Sequence, residues 1–390
     1  MRRQRILVVT RNLPPLVGGM ERLNWHMIDE LAKVADVRVV GPDGSSALAP
    51  PGVDVSTAPL KPLWKFLLRA RALARREAKS WQPDIVLAGS GLTAPLARSA
   101  ARQGDAKAWV YVHGLDVAVR HPVYRAIWLR AIRSADGVIA NSHATAALCR
   151  DIGVAPERLV IVHPGVDKPA APAGDEAAAA IEFRRQHALG NGPLLLSVGR
   201  LSTRKGLREF VAEALPRIVA AHPDVMLLVV GDAPSQALRA QAQTRESIQA
   251  AADAGGIGAH LRFLGTITDY AELGHLYRMA DVHVFPVRQI AGDPEGFGMV
   301  AVEAAAHGLP TVAFGTGGVV DAVADGRSGR LVLPGNYPAF AAAVMSTLGA
   351  RDDLRTACVE FARQFAWPEF GAQLSAHLLG ETSACKGAAT

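Results

Sequence analysis

The fold class follows from the pattern of residues 5–31, which read RILVVTRNLPPLVGGMERLNWHMIDEL. The segment begins with a short apolar run, residues 6–9, and continues with residues 12–19, which contain two prolines and two glycines. Apolar side chains then recur at helical spacing, at Leu23, Met27, Ile28 and Leu31. This order predicts one strand–loop–helix unit.

The same alternation continues along the chain. Apolar runs bounded by turn residues follow in the first half, at residues 37–40, 85–88, 109–112, 138–140 and 160–162. After the proline- and alanine-rich residues 169–174 a second series starts, at residues 194–198, 225–230, 261–264, 282–285, 310–314 and 330–333. Strands that alternate with helices are typical of parallel sheets covered on both faces. The sequence therefore predicts an α/β protein with two doubly wound domains facing across a cleft, and ligands at the carboxyl ends of the strands.

These patterns also predict the domain boundaries. Residues 1–168 form the first domain and residues 169–365 the second, while a helix over about 366–380 returns to the first domain. The last ten residues, 381–390, are interpreted as a flexible tail.

Composition excludes several classes of protein. Hydrophobic residues make up 49% of the 390 residues and charged residues 20%, which is enough apolar material for sizeable cores. No apolar run approaches the ~20 residues of a membrane span, and the basic start precedes too short an apolar run for a signal peptide. Three scattered cysteines form neither a disulfide framework nor a metal cluster. We expect a cytoplasmic protein without a metal site.

Positive charge is concentrated in the first half. Residues 1–170 contain 24 Lys and Arg against 14 Asp and Glu, whereas the remainder contains 18 against 22. An anionic partner is therefore expected for the first half. No zinc finger, RNA-binding aromatic motif or long basic tract is present, so nucleic acid is not the expected partner.

The segment richest in candidate chemistry is residues 293–304, DPEGFGMVAVEA. Glu295 precedes a helix whose first amides, from Phe297 through Gly298 and Met299 to Val300, offer a seat for a diphosphate. From that position Glu295 can accept hydrogen bonds from sugar hydroxyls, and Glu303 from ribose hydroxyls. Solvated glutamates near a helix start are an equally good interpretation of the spacing alone.

A second candidate is the basic turn of residues 198–206, VGRLSTRKG, which follows a predicted strand. Arg200 and Lys205 can each reach a phosphate. No Asp-x-Asp pair is present to hold Mg²⁺, so two fixed cations are the expected substitute at the leaving group. A solvated basic turn is the alternative.

Two weaker signals lie in the first domain. The pair Gly18 and Gly19 permits close approach of the backbone to a phosphate or sugar, and the closing of a turn is the alternative interpretation. His113 follows the predicted strand of residues 109–112, where ligands bind in such folds, although lone histidines are more often structural.

Together these residues resemble the family 4 retaining glycosyltransferases, which have the two-domain GT-B architecture. The resemblance rests on Gly18-Gly19, His113-Gly114, Gly199-Arg200 with Lys205, and above all the order Glu-Gly-Phe-Gly-x-x-x-x-Glu-Ala from Glu295. It covers nearly the whole chain and is closest to bacterial GDP-mannose-dependent mannosyltransferases. One departure is that the first helix ends LAKVAD, at residues 31–36, without the Gly-His of many members.

The resemblance implies a role for each matched residue. Arg200 and Lys205 bind the diphosphate, Glu295 contacts the donor sugar, Glu303 contacts the ribose and His113 lies beside the reacting sugar. Gly18 and Gly19 shape the site near the diphosphate. The implied reaction is transfer of a hexose with retention, without a metal or other cofactor, from a nucleotide sugar to a glycan or lipid-linked acceptor in cell-envelope assembly, such as lipopolysaccharide biosynthesis.

Other functions remain open on the sequence alone. A UDP-sugar donor carrying glucose or N-acetylglucosamine is the nearest alternative to GDP-mannose. A nucleotide-sugar epimerase of the same fold and an inactive membrane-bound scaffold are the more distant ones.

Residues 62–81 indicate an amphipathic helix. Leu63, Trp64, Leu67 and Trp81 share one side with three alanines, and four cations share another. Basic residues interleaved with aromatic ones suit an anionic lipid surface. We therefore expect peripheral association with the inner face of the cell membrane. The alternative is that the apolar side packs on the sheet and the cations are solvated.

Overall fold

A computed structural model describes residues 2–169, 174–233 and 243–380. The chain divides into two compact units: unit 1 comprises Met1–Gly165 and Trp367–Thr390, and unit 2 comprises Val166–Ala366. The first boundary lies three residues before the one the sequence predicts. The predicted tail, residues 381–390, and residues 170–173 of the proline-rich stretch lie outside the described residues.

Unit 1 is built on a parallel sheet of seven strands in its described part, in the order β3-β2-β1-β4-β5-β6-β7. The strands are β1 Arg5–Val9, β2 Asp36–Pro42, β3 Asp54–Ala58, β4 Ile85–Ala88, β5 Lys107–Val112, β6 Gly137–Ala140 and β7 Leu159–Ile161. Residues 6–9 of the central strand β1 are fully buried. A strand covered on both faces must be apolar throughout, which explains why this run does not alternate.

Helices cover the sheet of unit 1. They are α1 Gly19–Val34, α2 Leu63–Trp81, α3 Ala94–Gly104, α4 Leu115–Ala118, α5 Pro122–Tyr124, α6 Arg130–Arg133 and α7 His143–Asp151. A π-helical turn, Arg125–Leu129, joins α5 to α6. Helix α17, Trp367–Leu379, returns to pack on α1, where Gly371 lies so close to Glu30 that a methyl group would overlap that side chain.

Unit 2 has a parallel sheet of six strands among the described residues, in the order β10-β9-β8-β11-β12-β13. The strands are β8 Leu194–Val198, β9 Met226–Val230, β10 Leu261–Gly265, β11 Val282–Phe285, β12 Thr311–Phe314 and β13 Gly329–Val332. The helices are α8 Glu176–Gln186, α9 Leu207–Glu213, α10 Leu215–Ala221, α11 Arg245–Ala254, α12 Tyr270–Met279, α13 Met299–Ala306, α14 Val319–Ala322, α15 Tyr337–Gly349 and α16 Arg351–Arg363.

The strand orders fix where each unit can bind a ligand. In unit 1 the order reverses between β1 and β4, and in unit 2 between β8 and β11. Loops that leave the carboxyl ends of such neighbouring strands diverge and leave a crevice. The candidate residues of the sequence lie after β1 and β5 in unit 1 and after β8 and β11 in unit 2.

Two sequence predictions need correction. Strand β3 was not predicted, because its sequence DVSTA offers one large apolar residue and an edge strand is only half-buried. The buried face of α2 contains the three alanines of the predicted apolar side, but it is centred differently. Phe66, Ala70, Leu73, Ala74 and Ala78 are buried, whereas Trp64 is 59% exposed. The buried face of α2 is therefore centred nearer to Phe66, and Trp64 lies in solvent.

In the described part of the chain, no helix combines the length and the apolar character needed to cross a bilayer.

Candidate active site

A compact group of charges forms the core of the candidate site in unit 2. Lys205 Nζ lies 3.0 Å from Glu295 Oε2, and Arg204 Nε lies 3.4 Å from the same oxygen. Arg204 also contacts Asp293 at 3.2 Å and donates to the carbonyl oxygen of Pro294 at 2.9 Å. The side chain of Glu295 is only 11% exposed. Two cations and two carboxylates thus meet in a largely desolvated position after β8 and β11.

This environment sets the ionisation of Glu295. Burial alone would raise the pKa of Glu295, but the nearby charges of Lys205 and Arg204 outweigh it and lower the pKa to about 2. Glu295 is therefore an anion at neutral pH and acts as a hydrogen-bond acceptor rather than as an acid. Burial also lowers the pKa of Lys205, with Glu295 opposing the shift.

The ammonium group of Lys205 lies over the face of an aromatic ring. Lys205 Nζ lies 4.6 Å from the centroid of the Phe285 ring, at the end of β11. A cation over a ring face is held electrostatically where little water is available. Arg200 is exposed, and it lies close enough to add to the lowering of both the Lys205 and the Glu295 pKa.

The start of α13 depends on two glycines. Gly298 caps the helix in the left-handed region, with φ of 102°, and a methyl group there would lie 2.9 Å from the Phe285 ring. Gly318 donates its N–H to the carbonyl oxygen of Glu295 at 2.9 Å, and a methyl group on it would overlap the carbonyl oxygen of Gly296. The pair Gly317-Gly318 therefore lets the loop of Glu295 pack against a neighbouring backbone.

Helix α13 begins at Met299, with Val300 next, so the amides predicted to bind a diphosphate lie at a helix start. The Phe297 side chain, however, is buried and lies 5.7 Å from the Phe365 ring. Only the main chain of Phe297 is thus suited to contact a ligand. Glu303, one turn further on, is half-buried and accepts a hydrogen bond from Tyr277 Oη at 3.1 Å.

In unit 1, His113 is held by backbone groups. Its Nε2 lies 2.9 Å from the carbonyl oxygen of Gly89, which can only accept, so Nε2 carries the hydrogen. Asp116 accepts the N–H groups of His113 at 2.9 Å and of Gly91 at 2.8 Å. Its carboxylate therefore ties the loop after β5 to the loop after β4.

The same carbonyl of Gly89 connects His113 to α1. Asn24, fully buried on α1, donates its Nδ2 to Gly89 at 3.2 Å and to the carbonyl oxygen of Met20 at 2.9 Å. Gly18 and Gly19 stand at the start of this helix, Gly18 as its cap. The structure thus brings His113 and the first turn of α1 to one edge of the unit 1 sheet.

Sequence analysis missed four residues that hold these two groups: Arg204, Tyr277, Asn24 and Asp116. Arg204 and Asp116 carried a usable signal, since each lies within three residues of a candidate. Tyr277 and Asn24 carried none, because only the fold brings them to Glu303 and Gly89.

Known proteins match both halves of the chain. Residues 180–365 match the family model described as "Glycosyl transferases group 1", and residues 17–168 match "Glycosyltransferase Family 4". The GDP-mannose-dependent alpha-(1-6)-phosphatidylinositol monomannoside mannosyltransferase of Mycolicibacterium smegmatis is 30% identical, over 97% of this chain and 99% of that protein. D-inositol 3-phosphate glycosyltransferase 2 of Catenulispora acidiphila is 33% identical, over 61% of this chain and 54% of that protein.

A solved structure shares the fold. The crystal structure of Anabaena HepE in complex with UDP-glucose matches with a TM-score of 0.76 and 20% identity, over 96% of this chain and 99% of that one. This likeness confirms the predicted α/β architecture of two doubly wound domains.

Proposed function

The chain belongs to glycosyltransferase family 4 and is a hexosyltransferase with the GT-B fold, and on that premise we propose that it transfers mannose from GDP-mannose to a lipid-linked or cell-envelope glycan acceptor. The observation that carries this proposal is the desolvated group of Lys205, Arg204 and Glu295. The relative from Mycolicibacterium smegmatis, whose name states a GDP-mannose donor, supports the choice of mannose.

Lys205 and Arg200 stabilise the departing nucleotide in this proposal. As the bond between the sugar carbon and the phosphate oxygen breaks, negative charge grows on the diphosphate. The buried ammonium of Lys205 stabilises that charge strongly, and the exposed Arg200 adds to it. The Lys205 ammonium has three hydrogen atoms, so it can donate to a phosphate oxygen while still paired with Glu295. The amides at the start of α13 supply further donors.

Glutamate side chains bind the two sugars of the donor in this proposal. Glu295 is anionic, so it accepts hydrogen bonds from sugar hydroxyls, and Glu303 does the same for the ribose. The acceptor oxygen attacks the sugar carbon on the face that the diphosphate leaves, which retains the configuration. The proton of the acceptor hydroxyl passes to the departing phosphate oxygen, so the products are the glycoside and the nucleoside diphosphate.

Metal independence is part of the proposal. Cationic side chains and helix amides perform the task that a divalent ion performs elsewhere, namely charge stabilisation at the leaving group. With EDTA present, transfer from the preferred donor should therefore continue at an unchanged rate.

A donor screen tests the function. Purified protein with EDTA is offered GDP-mannose, UDP-glucose and UDP-N-acetylglucosamine, and nucleotide release is followed with and without an extract of bacterial lipids as acceptor. Transfer from GDP-mannose alone supports the proposal. Transfer from a UDP sugar would mean that the donor is that UDP sugar and not GDP-mannose. Chromatography of the donor after incubation without acceptor detects an epimerase, which need not release nucleotide. No turnover of any donor, either with EDTA or with Mg²⁺ in its place, would indicate a scaffold and contradict the proposal.

Nucleotide binding gives an independent check. A ligand at 100 times its dissociation constant stabilises a protein by about 2.7 kcal/mol. GDP should thus raise the melting temperature more than UDP or ADP at equal concentration.

We also propose that unit 1 binds an anionic membrane surface through one face of α2. Trp64 and Leu68 are 59% and 61% exposed, and Lys65 and Arg69 stand beside them. These four residues border a shallow depression with Pro59 and Ala72. Exposed apolar side chains between cations suit insertion at a charged lipid interface. This surface would bring the enzyme to lipid-linked acceptors at the inner face of the cell membrane.

Liposome sedimentation tests this surface. We expect binding to vesicles with anionic lipid and little binding to zwitterionic ones. Trp64→Ala with Leu68→Ala, and separately Lys65→Gln with Arg69→Gln, should each reduce binding severalfold. Lys107→Gln with Arg150→Gln removes the same charge from exposed positions on β5 and α7 of unit 1 and serves as the control. Equal recovery of wild type with both vesicle types would overturn the electrostatic part of the proposal.

A further inference from the structure

Tyr277 is a buried tyrosine whose hydroxyl group has a specific target. It lies on α12, it is 2% exposed, and its Oη donates to Glu303 Oε2 at 3.1 Å. Glu303 lies on α13 and is half-buried. The bond thus crosses between two helices and ends on the carboxylate assigned to the ribose.

Two imidazole rings fix the orientation of the phenol. The ring of His307 stacks on Tyr277 at a centroid distance of 5.2 Å, and the ring of His283 meets it edge-on at 6.3 Å. His307 Nδ1 lies 2.9 Å from the carbonyl oxygen of Glu303, and His283 Nδ1 lies 3.0 Å from Thr311 Oγ1. Each imidazole is itself anchored, so the tyrosine ring has little freedom to turn.

Helix α12 also lies close to the His307 side chain. A methyl group on Gly274, one turn before Tyr277, would lie 3.0 Å from His307 Nε2. Burial lowers the pKa of His307, and burial together with Lys205 lowers the pKa of His283 to about 3. Both rings are therefore neutral at physiological pH, and the phenol packs between two uncharged imidazoles.

A glutamate side chain has three rotatable bonds, and ordering it on binding costs free energy. A donor that holds one oxygen beforehand reduces this cost, because the carboxylate is already oriented when the ligand arrives. We infer that Tyr277 is a positioning residue that orients Glu303 for the vicinal hydroxyls of a nucleotide ribose. This inference rests on the proposed function, which assigns the ribose to Glu303.

A binding cycle tests the inference. Dissociation constants of GDP and of 2′,3′-dideoxy-GDP are measured by calorimetry for wild type and for Tyr277→Phe, which keeps the ring and removes the hydroxyl. We expect the variant to weaken GDP binding about tenfold, the size of one hydrogen bond to a charged group. The binding of the dideoxy nucleotide should change little, since it has no hydroxyls for Glu303.

Controls separate positioning from stability. Tyr270→Phe makes the same chemical change at an exposed position of α12 and should leave both constants unchanged. In a Glu303→Ala background, the Tyr277→Phe change should no longer weaken GDP binding. Melting curves establish that each variant is folded.

Each outcome bears on one claim. Equal weakening for GDP and the dideoxy nucleotide, or no weakening for GDP, would overturn the role of Tyr277 while leaving the proposed function intact. If wild type binds UDP and not GDP, the same cycle with UDP and its dideoxy form tests the role of Tyr277. If wild type binds neither nucleotide, the proposed function fails and this inference fails with it.

Discussion

At the carboxyl edge of its sheet, unit 1 holds His113 through a backbone carbonyl and a carboxylate bound to two amides, whereas unit 2 packs Lys205 and Arg204 against Glu295. Both edges belong to doubly wound parallel sheets, so the difference lies in the side chains and not in the architecture. Desolvated cations are costly to bury without an anionic partner. Glu295 supplies that partner, and the charged group as a whole suits the diphosphate that the proposed function assigns to unit 2.

The largest expected effect tests the cations of unit 2. Lys205→Ala should lower kcat by about 10²–10³-fold, as for a lost donor at a developing oxyanion. Initial rates with saturating donor measure it. Lys168→Ala removes an exposed lysine from the same unit and should leave kcat unchanged. Near wild-type turnover by Lys205→Ala would contradict the role of Lys205 at the leaving group.

A second prediction concerns acid stability and Glu295. The folded pKa of about 2 lies below the ordinary value of 4.5, so this carboxylate stabilises the fold above pH ~4.5 and loses that effect as the pH falls toward 2. The shift corresponds to about 3 kcal/mol. Urea unfolding at several pH values should therefore show that wild type loses about 3 kcal/mol more than Glu295→Gln between pH 5 and 2.

The two units can be followed separately in that experiment. All six tryptophans lie in unit 1, at Trp25, Trp64, Trp81, Trp109, Trp128 and Trp367. Far-UV circular dichroism reports helices of both units, so a transition seen without a change in tryptophan fluorescence belongs to unit 2. Glu360→Gln, at an exposed glutamate, controls for the loss of one carboxylate. Equal acid sensitivity of wild type and Glu295→Gln would contradict the prediction.

A third and smaller effect is expected in unit 1. Asp116→Asn replaces one acceptor oxygen by an amide group that cannot accept the N–H of His113 or Gly91. The loop that carries His113 then loses one of the hydrogen bonds that hold it in place. If about 1.4 kcal/mol of that loss reaches the transition state, kcat/KM falls roughly tenfold. The dissociation constant of the nucleotide should stay unchanged, because the nucleotide is assigned to unit 2.

Asp105→Asn is the matched control for that measurement. Asp105 ends α3 in the left-handed region with φ of 52°, a conformation that asparagine tolerates well, and it is exposed. Its replacement should change neither constant. A weaker nucleotide affinity in Asp116→Asn would mean that the loop of His113 also affects nucleotide binding.

The sequence predicts the buried strands of both units, but only part of the contacts between side chains. Runs such as residues 6–9 and 194–198 are apolar throughout and bounded by turns, so the parallel strands were evident. The edge strand β3 was not, because its half-exposed residues resemble a loop. Glu295 and Lys205 were named from local motifs, whereas their direct pairing depends on loops after two different strands. Tyr277 reaches Glu303 from 26 positions away, and no local pattern records such a contact.

The smallest expected effect concerns the glycines that both units place in these loops. At Gly18 the backbone is extended, with φ of 161°, and a methyl group would meet only the flexible carboxylate of Glu21. Gly18→Ala should therefore change the free energy of unfolding by about 0.5 kcal/mol or less. Gly318→Ala, by contrast, forces a methyl group into the backbone of Gly296 and should cost several times more. Thermal unfolding of the two variants compares them. Because Gly18→Ala leaves the fold intact, any loss of kcat/KM in that variant measures how closely a ligand approaches the start of α1, and an unchanged kcat/KM would remove Gly18 from the site.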